Sequence, residues 1–364
     1  MATLTFQRPL GREYTGLSEA ETLERIARAK EALGSDLLIL GHHYQREEVI
    51  RFADYRGDSL KLAREAANRP EARYIVFCGV HFMAETADIL KPGDQAVILP
   101  NLSAGCSMAD MADIDQVTDC WDQISPFIGD ELTPITYVNS TAALKGFVGD
   151  HGGAVCTSSN AQAILKWALA QRPRVLFFPD QHLGRNSAVA MGYSTDEMIV
   201  WDPYQPMGGN TEEAVRAARF VLWKGHCSVH GRFTAAQIAA ARARHPSVRI
   251  VVHPECPMDV VQAADANGST EFIAKYVRES PAGSVIGVGT EINLVNRLAR
   301  EMPDKTIFCL DPVVCPCSTM YRIHPSFLLW TLENLLEGKV VNRITVPEPI
   351  RSSARLALER MLAS

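Results

Sequence analysis

Apolar and polar positions alternate in blocks along this chain, and the blocks recur three times in one order. Each recurrence opens with a short apolar run that stops at polar residues: Leu37-Leu38-Ile39-Leu40 before GHHYQ, residues 135–138 before Asn139, and residues 248–252 before HPEC. Runs this short, bounded by turn residues, predict buried strands. A hydroxyl-rich turn follows each, Gly57-Asp58-Ser59, Thr157-Ser158-Ser159 and Gly268-Ser269-Thr270, placed 17, 19 and 16 residues after His42, Asn139 and His253. Serine and threonine at the mouth of a helical pattern predict N-caps, because their side-chain oxygens accept from backbone N–H groups that have no partner inside the helix. The third of these helices carries its apolar stripe at Phe272, Ile273, Tyr276 and Val277.

A second apolar run with polar residues at its end comes next, YIVFCGVHF from Tyr74, VLFFPDQHL from Val175 and SVIGVGTEI from Ser284. A third follows at residues 97–99, 198–201 and 306–309, and after it a cysteine: Cys106 in AGCSMAD, Cys227 in GHCSVHG and Cys317 in CPCSTM. Strand, helix, strand, helix, strand is the order of a parallel α/β sheet. Such sheets gather their functional groups at the C-terminal ends of the strands. The pattern predicts an α/β fold of three similar three-layer α/β/α domains in pseudo-threefold arrangement, with strand ends, helix N-termini and cysteines facing one centre. The expected boundaries are 1–130, 131–244 and 245–335, with 336–364 returning as a tail that packs on the first domain. Within that tail Ala354, Leu356, Leu358, Met361 and Leu362 form an amphipathic stripe.

Composition agrees with several cores. The chain has 364 residues, 47% of them hydrophobic, enough for roughly two to three domains. A net charge of −6 gives no reason to expect nucleic acid or a membrane surface as partner. No apolar run approaches the roughly 18 residues that a membrane helix needs, and residues 1–20 lack the character of a signal peptide. The expectation is a cytoplasmic protein. In that reducing compartment nine cysteines, an odd number, do not read as a disulfide set.

Sorting the cysteines changes the picture most. Cys78 and Cys309 lie inside apolar runs and read as packing, Cys120 and Cys156 have no ligand context, and Cys256 fits either role. Cys106, Cys227 and Cys317 each sit in a turn, and each is followed by a serine (Ser107, Ser228, Ser318). Backbone N–H groups in such turns stabilise anionic sulfur. The three are 121 and 90 residues apart, too far for a local knuckle, so they meet only if the three units share a centre. Cys315 competes with Cys317, and spacing does not separate them. Three thiolates suit a catalytic zinc with an open position or an iron–sulfur cluster with one iron lacking a protein ligand.

The ordered set GHHYQ, GDSL, AGCSMAD, YVNSTAA, CTSSNA, FFPDQHLG, GHCSVHGRF, HPEC, GST, GTE and CPCSTM resembles the quinolinate synthase family over roughly residues 36–325. The resemblance implies three α/β domains around a central cluster and active site, with one [4Fe–4S] cluster per chain on Cys106, Cys227 and Cys317, in preference to Cys315, and one open iron. It implies condensation of iminosuccinate (iminoaspartate) with dihydroxyacetone phosphate to quinolinate, phosphate and two waters in de novo NAD biosynthesis, with L-aspartate oxidase as a possible supplier of the imine. Carried over by position, Glu255, His253 and Tyr44 take catalytic roles. His42, Ser59, Tyr137, Asn139, Ser158, His230, Ser269 and Thr270 line the substrates. The chemistry is consistent: helix N-termini offer N–H donors and a favourable dipole to anionic substrates. Imine chemistry with two dehydrations needs groups such as Glu255, His253 and Tyr44 to shuttle protons. Two departures stand out, His226 where many relatives carry an aromatic residue, and a lone Cys-Pro-Cys at Cys315 and Cys317. An iron–sulfur hydro-lyase acting on another hydroxyacid and a non-catalytic iron–sulfur sensor are the competing expectations.

Overall fold

The structure, a computed structural model, describes residues 7–313 and 316–363; Cys315 lies outside the described residues. Three sheets dominated by parallel pairing carry a mixed α/β fold, with helices packed around them. The first is built from β1 (Leu37–His42), β2 (Tyr55–Gly57), β3 (Tyr74–Cys78) and β4 (Ala96–Ile98). The second contains β5 (Leu132–Tyr137), β6 (Ala154–Cys156), β7 (Arg174–Phe178), β8 (Met198–Trp201) and β9 (Phe220–Trp223). The third contains β10 (Arg249–Val252), β11 (Ala266–Asn267), β12 (Val285–Gly289) and β13 (Thr306–Cys309).

The repeat predicted from the apolar runs is present as one strand order used three times: β2-β1-β3-β4, β6-β5-β7-β9 and β11-β10-β12-β13. The strands β1, β3, β5 and β10 are apolar and buried along nearly their whole length, as strands covered on both faces require. Two strands are additions to the common order. A short β14 (Arg343–Ile344) lies antiparallel beside β4, and β8 lies outside β9. One expectation is corrected here. The strand that leads to Cys227 is β9, whereas the run at residues 198–201 forms the added edge strand β8. The third helix is shifted too: Ile273, Ala274 and Val277 are buried on it, while Phe272 is 42% exposed.

The chain divides into two compact units, residues 1–106 with 315–346, and residues 107–314 with 347–364. In the first unit the helix Pro325–Leu336 packs on the helix Glu19–Leu33. It buries Leu328, Leu329, Leu332 and Leu335 there, each worth roughly 1.5–3 kcal/mol relative to exposure. Arg25 adds two hydrogen bonds to Glu333, at 2.9 and 2.6 Å. In the second unit the helix Ile114–Ile128 packs beside the helices Glu212–Ala217 and Ala142–Asp150.

The tail also divides. β14 extends the first sheet, but the helix Ile350–Leu362 packs on the helix Ala142–Asp150 and on β6, within the second unit. This corrects the expectation that 336–364 packs on the first domain. The reason is a close backbone crossing: a Cβ on Gly149 would stand 1.9 Å from the carbonyl oxygen of Ser353, so only glycine admits the contact. Among the described residues no helix is long and apolar enough to cross a membrane.

Candidate functional site

In the second unit the polar residues that follow the strands form one buried network. β5 ends at Tyr137, whose hydroxyl donates to Glu255 Oε1 at 2.6 Å. Glu255 follows β10, and its other oxygen, Oε2, pairs with His230 Nδ1 at 2.6 Å. His230 Nε2 reaches the hydroxyl of Thr290, just after β12, at 3.0 Å. The His253 ring stacks on that of His230, with centroids 4.3 Å apart and planes within 15°. All five residues are buried, so each polar contact acts in a low dielectric and is worth more than on the surface.

Burial works against the charged form of Glu255, but His253, His230 and the Tyr137 hydroxyl outweigh it and hold the carboxyl below its ordinary range. Burial, with His230 beside it, pushes His253 down to about 3, so this imidazole is neutral. Its Nδ1 accepts the Glu255 amide at 3.3 Å, which leaves the ring proton on Nε2. Asp180 behaves in the opposite way. It is fully buried after β7, and burial together with Glu255 raises its pKa well above that of an ordinary carboxyl. Its Oδ1 accepts from the amides of His182 and Leu183 at the start of the helix Gln181–Ala190, while Oδ2 has no hydrogen-bond partner among the described residues. His182 is lowered to about 4, chiefly by burial.

Cys227 adjoins this network: its sulfur and one donor atom each of His230 and Glu255 lie within 4.8 Å of one another. The chain reaches that point through Gly225, where a Cβ would stand 2.1 Å from the carbonyl oxygen of Pro179.

Beside the HPEC turn lies a cavity of ≈ 500 Å³. Ser158, Asn186, Asn267 and Ser269 contribute to its wall, and none of its lining residues is charged. Two helix N-termini open on it, those of Ala161–Gln171 and Thr270–Glu279. The expectation that serines cap the three helices holds for Ser269, which accepts from the Phe272 amide at 3.3 Å. Asp58 caps the helix that Ser59 begins, and Asn160 occupies the N-cap position after Ser158. Asn186 donates from Nδ2 to the carbonyls of Pro254 and Cys256, each at 2.8 Å, and so fixes the turn that carries Glu255. Among the described residues, the oxygens Asn186 Oδ1, Asn139 Oδ1 and Thr270 Oγ1 are buried without hydrogen-bond partners.

Of the sequence-predicted residues, Tyr137, His230, His253 and Glu255 are thus brought together, and Ser158 and Ser269 line the adjacent cavity. Asn139 follows β5, and Thr270 is the buried first residue of its helix. In the first unit, His42 is the buried last residue of β1, and its ring meets that of Tyr44 edge-on at 4.7 Å. Cys106 and Cys317, half-buried, also belong to this unit. Thr290 and Asn186 were not anticipated. Thr290 stands in the GTE block, which carried a signal without a role, whereas Asn186 inside a helix carries none.

The cysteines separate clearly. Burial raises the thiols of Cys120, Cys156 and Cys256 well above the ordinary value, that of Cys78 to about 12 and that of Cys309 to about 11. Those five are packing groups with little thiolate character. Cys309 is half-buried within β13, whereas Cys106, Cys227 and Cys317 are half-buried outside the helices and strands.

Comparison with known proteins agrees with this geometry. The family model of quinolinate synthetase A protein matches residues 24–363. The chain is similar to a quinolinate synthase of Corynebacterium glutamicum, 60% identical over 358 residues that span 98% of this chain and 91% of the relative. It is also similar to quinolinate synthases of Herpetosiphon aurantiacus (57% identity, 96% of this chain and 94% of the relative) and Anoxybacillus flavithermus (56%, 96% and 95%). Matches this long and this close extend over both units, and the chain belongs to the quinolinate synthetase A family.

Proposed function

We propose that the protein condenses iminosuccinate with dihydroxyacetone phosphate, releasing quinolinate, phosphate and two waters. The observation that carries this reading is the Tyr137–Glu255–His230–Thr290 network, which sets a buried carboxylate beside Cys227 and next to an uncharged, hydroxyl- and amide-lined cavity. The donor chemistry fits a [4Fe–4S] cluster: the three turn cysteines are set apart from the five packing thiols, and three thiolates leave one iron open. Cys106, Cys227 and Cys317 would hold the cluster, which when bound supplies a non-redox Lewis acid for loss of water.

The chain's own residues do the rest. Glu255 is ionised, so it can accept a proton, and both of its oxygens are held in place by donors before substrate arrives. His253, neutral and stacked on His230, orients a substrate carboxylate or hydroxyl through its Nε2 proton. Asn139 and Thr270 have unused acceptor capacity for substrate hydroxyl or amine protons. Ser158, Ser269 and the helix N-termini beside them bind anionic groups through neutral dipoles. In the first unit, His42 and Ser59 take anionic groups and Tyr44 assists proton transfer at the triose carbon. The reaction takes place in the cytoplasm, and L-aspartate oxidase is the class of enzyme that would supply the imine.

The decisive experiment is an anaerobic quinolinate assay on reconstituted protein, with Cys106→Ser, Cys227→Ser and Cys317→Ser beside Cys315→Ser. Product from wild type and Cys315→Ser alone supports both reaction and ligand set. Bound iron without product would overturn the reaction and favour a hydro-lyase or a sensor.

A further inference from the structure

Each cysteine assigned to the cluster is followed, three residues later, by a single 3-10 turn: Ala109–Met111 after Cys106, His230–Arg232 after Cys227 and Met320–Arg322 after Cys317. In the last two the turn is tied to its cysteine by the same bond, Gly231 N–H to Cys227 O and Tyr321 N–H to Cys317 O, both 2.9 Å. One isolated turn fills little of its own carbonyl capacity: Met320 O and Arg322 O accept the amides of Ile323 at 3.2 Å and His324 at 2.9 Å, and side-chain partners from elsewhere add to these.

The partners come from strand ends. The three consecutive carbonyls of Met320, Tyr321 and Arg322 accept from Gln45 Nε2 (3.2 Å), Arg46 Nη2 (2.9 Å) and Asn101 Nδ2 (2.9 Å). Gln45 and Arg46 follow β1, and Asn101 follows β4. The Arg46 guanidinium also lies 3.5 Å from the ring centre of Tyr321. Asn101 works in two directions, because its Oδ1 accepts from the Ser103 amide at 2.9 Å, in the loop that leads to Cys106. Arg322 returns a bond to the carbonyl of Ser103 at 3.0 Å. In the second unit the Met111 carbonyl, at the end of the turn after Cys106, accepts from Trp223 Nε1 at 2.7 Å; Trp223 is the last residue of β9, four before Cys227. Arg232, in the turn after Cys227, donates to Asp311 Oδ2 beyond β13 at 2.9 Å.

We infer that Gln45, Arg46, Asn101, Trp223 and Asp311 are positioning residues that fix the cysteine turns and thereby govern how long the chain retains its cluster. This rests on the cluster assignment proposed above. A metal group on three protein ligands has no fourth to restrain it, so its retention depends on how firmly those three are placed; removing such outer supports typically weakens metal binding about 10–100-fold. Among the described residues Gln45 Oε1 and Arg46 Nε are buried without hydrogen-bond partners, so on these two side chains the donors in use are those that face the turn.

The test uses Trp223→Phe, which removes the N–H and keeps an aromatic ring, though a smaller one whose cavity the Tm comparison accounts for, and Asn101→Asp, which keeps the acceptor for Ser103 and removes the donor to Arg322. Arg25→Met, which breaks the Arg25–Glu333 pair, is the control for a merely structural loss. Each full-length protein is reconstituted anaerobically. Iron per chain, the decay of the cluster's visible absorbance under an iron chelator, and the Tm of the metal-free form are then measured. Decay at least about tenfold faster in Trp223→Phe and Asn101→Asp, at wild-type rate in Arg25→Met, is expected. Decay at the wild-type rate in both clamp variants, or faster decay that only follows a lowered Tm in all three, would overturn the inference and leave the cluster assignment intact. A wild type that takes up no iron would overturn the cluster assignment itself.

Discussion

The surroundings of Glu255 and the wall of the neighbouring cavity treat charge in opposite ways. At Glu255 a full negative charge is buried, and both oxygens are bound, one by a phenol and one by an imidazole. In the cavity no lining side chain carries a charge, and the donors are hydroxyls, amides and two helix N-termini. A proton-transfer group needs a charge that can come and go at a fixed place. An anion-binding wall must release an anionic product, and neutral dipoles bind it without the deep trap that a buried lysine or arginine would make. The two regions adjoin through Asn186, whose amide fixes the HPEC turn while its residue lines the cavity.

The largest effect should come from removing the charge. Glu255→Gln is expected to lower kcat by roughly 10²–10⁴ with the iron content unchanged, measured by anaerobic turnover. Near wild-type turnover would sink the general acid/base role. Next comes the joint between the regions. Asn186→Asp keeps the volume but cannot donate to Pro254 and Cys256, and kcat should fall about tenfold or more while the KM for the phosphorylated substrate changes less. A change in KM alone would place Asn186 only in the cavity wall.

Tyr137→Phe removes one of the donors that lower Glu255. Its pKa must then rise, and the acid limb of the pH–rate profile should move to higher pH. An unmoved limb would detach that limb from Glu255. A smaller, global effect follows from His253. Folded, it titrates near 3 against an ordinary 6.5, so the unfolded chain takes up its proton first. The stability it contributes is complete above about pH 6.5 and is lost as pH falls toward 3; His182 acts in the same sense, and Asp180, raised by burial, opposes it. Urea unfolding of the metal-free protein should show this fall, and His253→Gln should flatten it. The smallest effect belongs to the wall: Ser269→Ala should cost about 1 kcal/mol as a lost cap, read as a Tm shift of a few degrees, with a modest rise in KM.

Much of this arrangement was legible in the chain. Long apolar strands such as β1, β5 and β10 announce themselves, and so do the polar residues that end them, because a buried run that stops at His, Tyr or Glu marks a strand end. The short strands β2, β6 and β11 were not legible: two or three residues cannot form a recognisable run, although they directly precede the hydroxyl turns. β9 was missed because Met198–Trp201 matched the expected third run equally well, and only pairing distinguishes an edge strand from the one that carries Cys227. Cysteine roles followed from local setting more than from burial: of the two thiols inside apolar runs, Cys78 is buried and Cys309 half-buried. Asn186 and the clamps on the cysteine turns depend on contacts between residues far apart in the chain, so no local pattern could show them.

The division of the tail has a consequence for how the protein is made. The first sheet receives β14 from residues 343–344, and the second unit receives its helix from residues 350–362. During synthesis, from the amino terminus onward, each unit therefore lacks a packing element until residues 343–362 have emerged. A chain cut before residue 343 is thus expected to leave an edge of the first sheet and a face of the second unit uncovered at once.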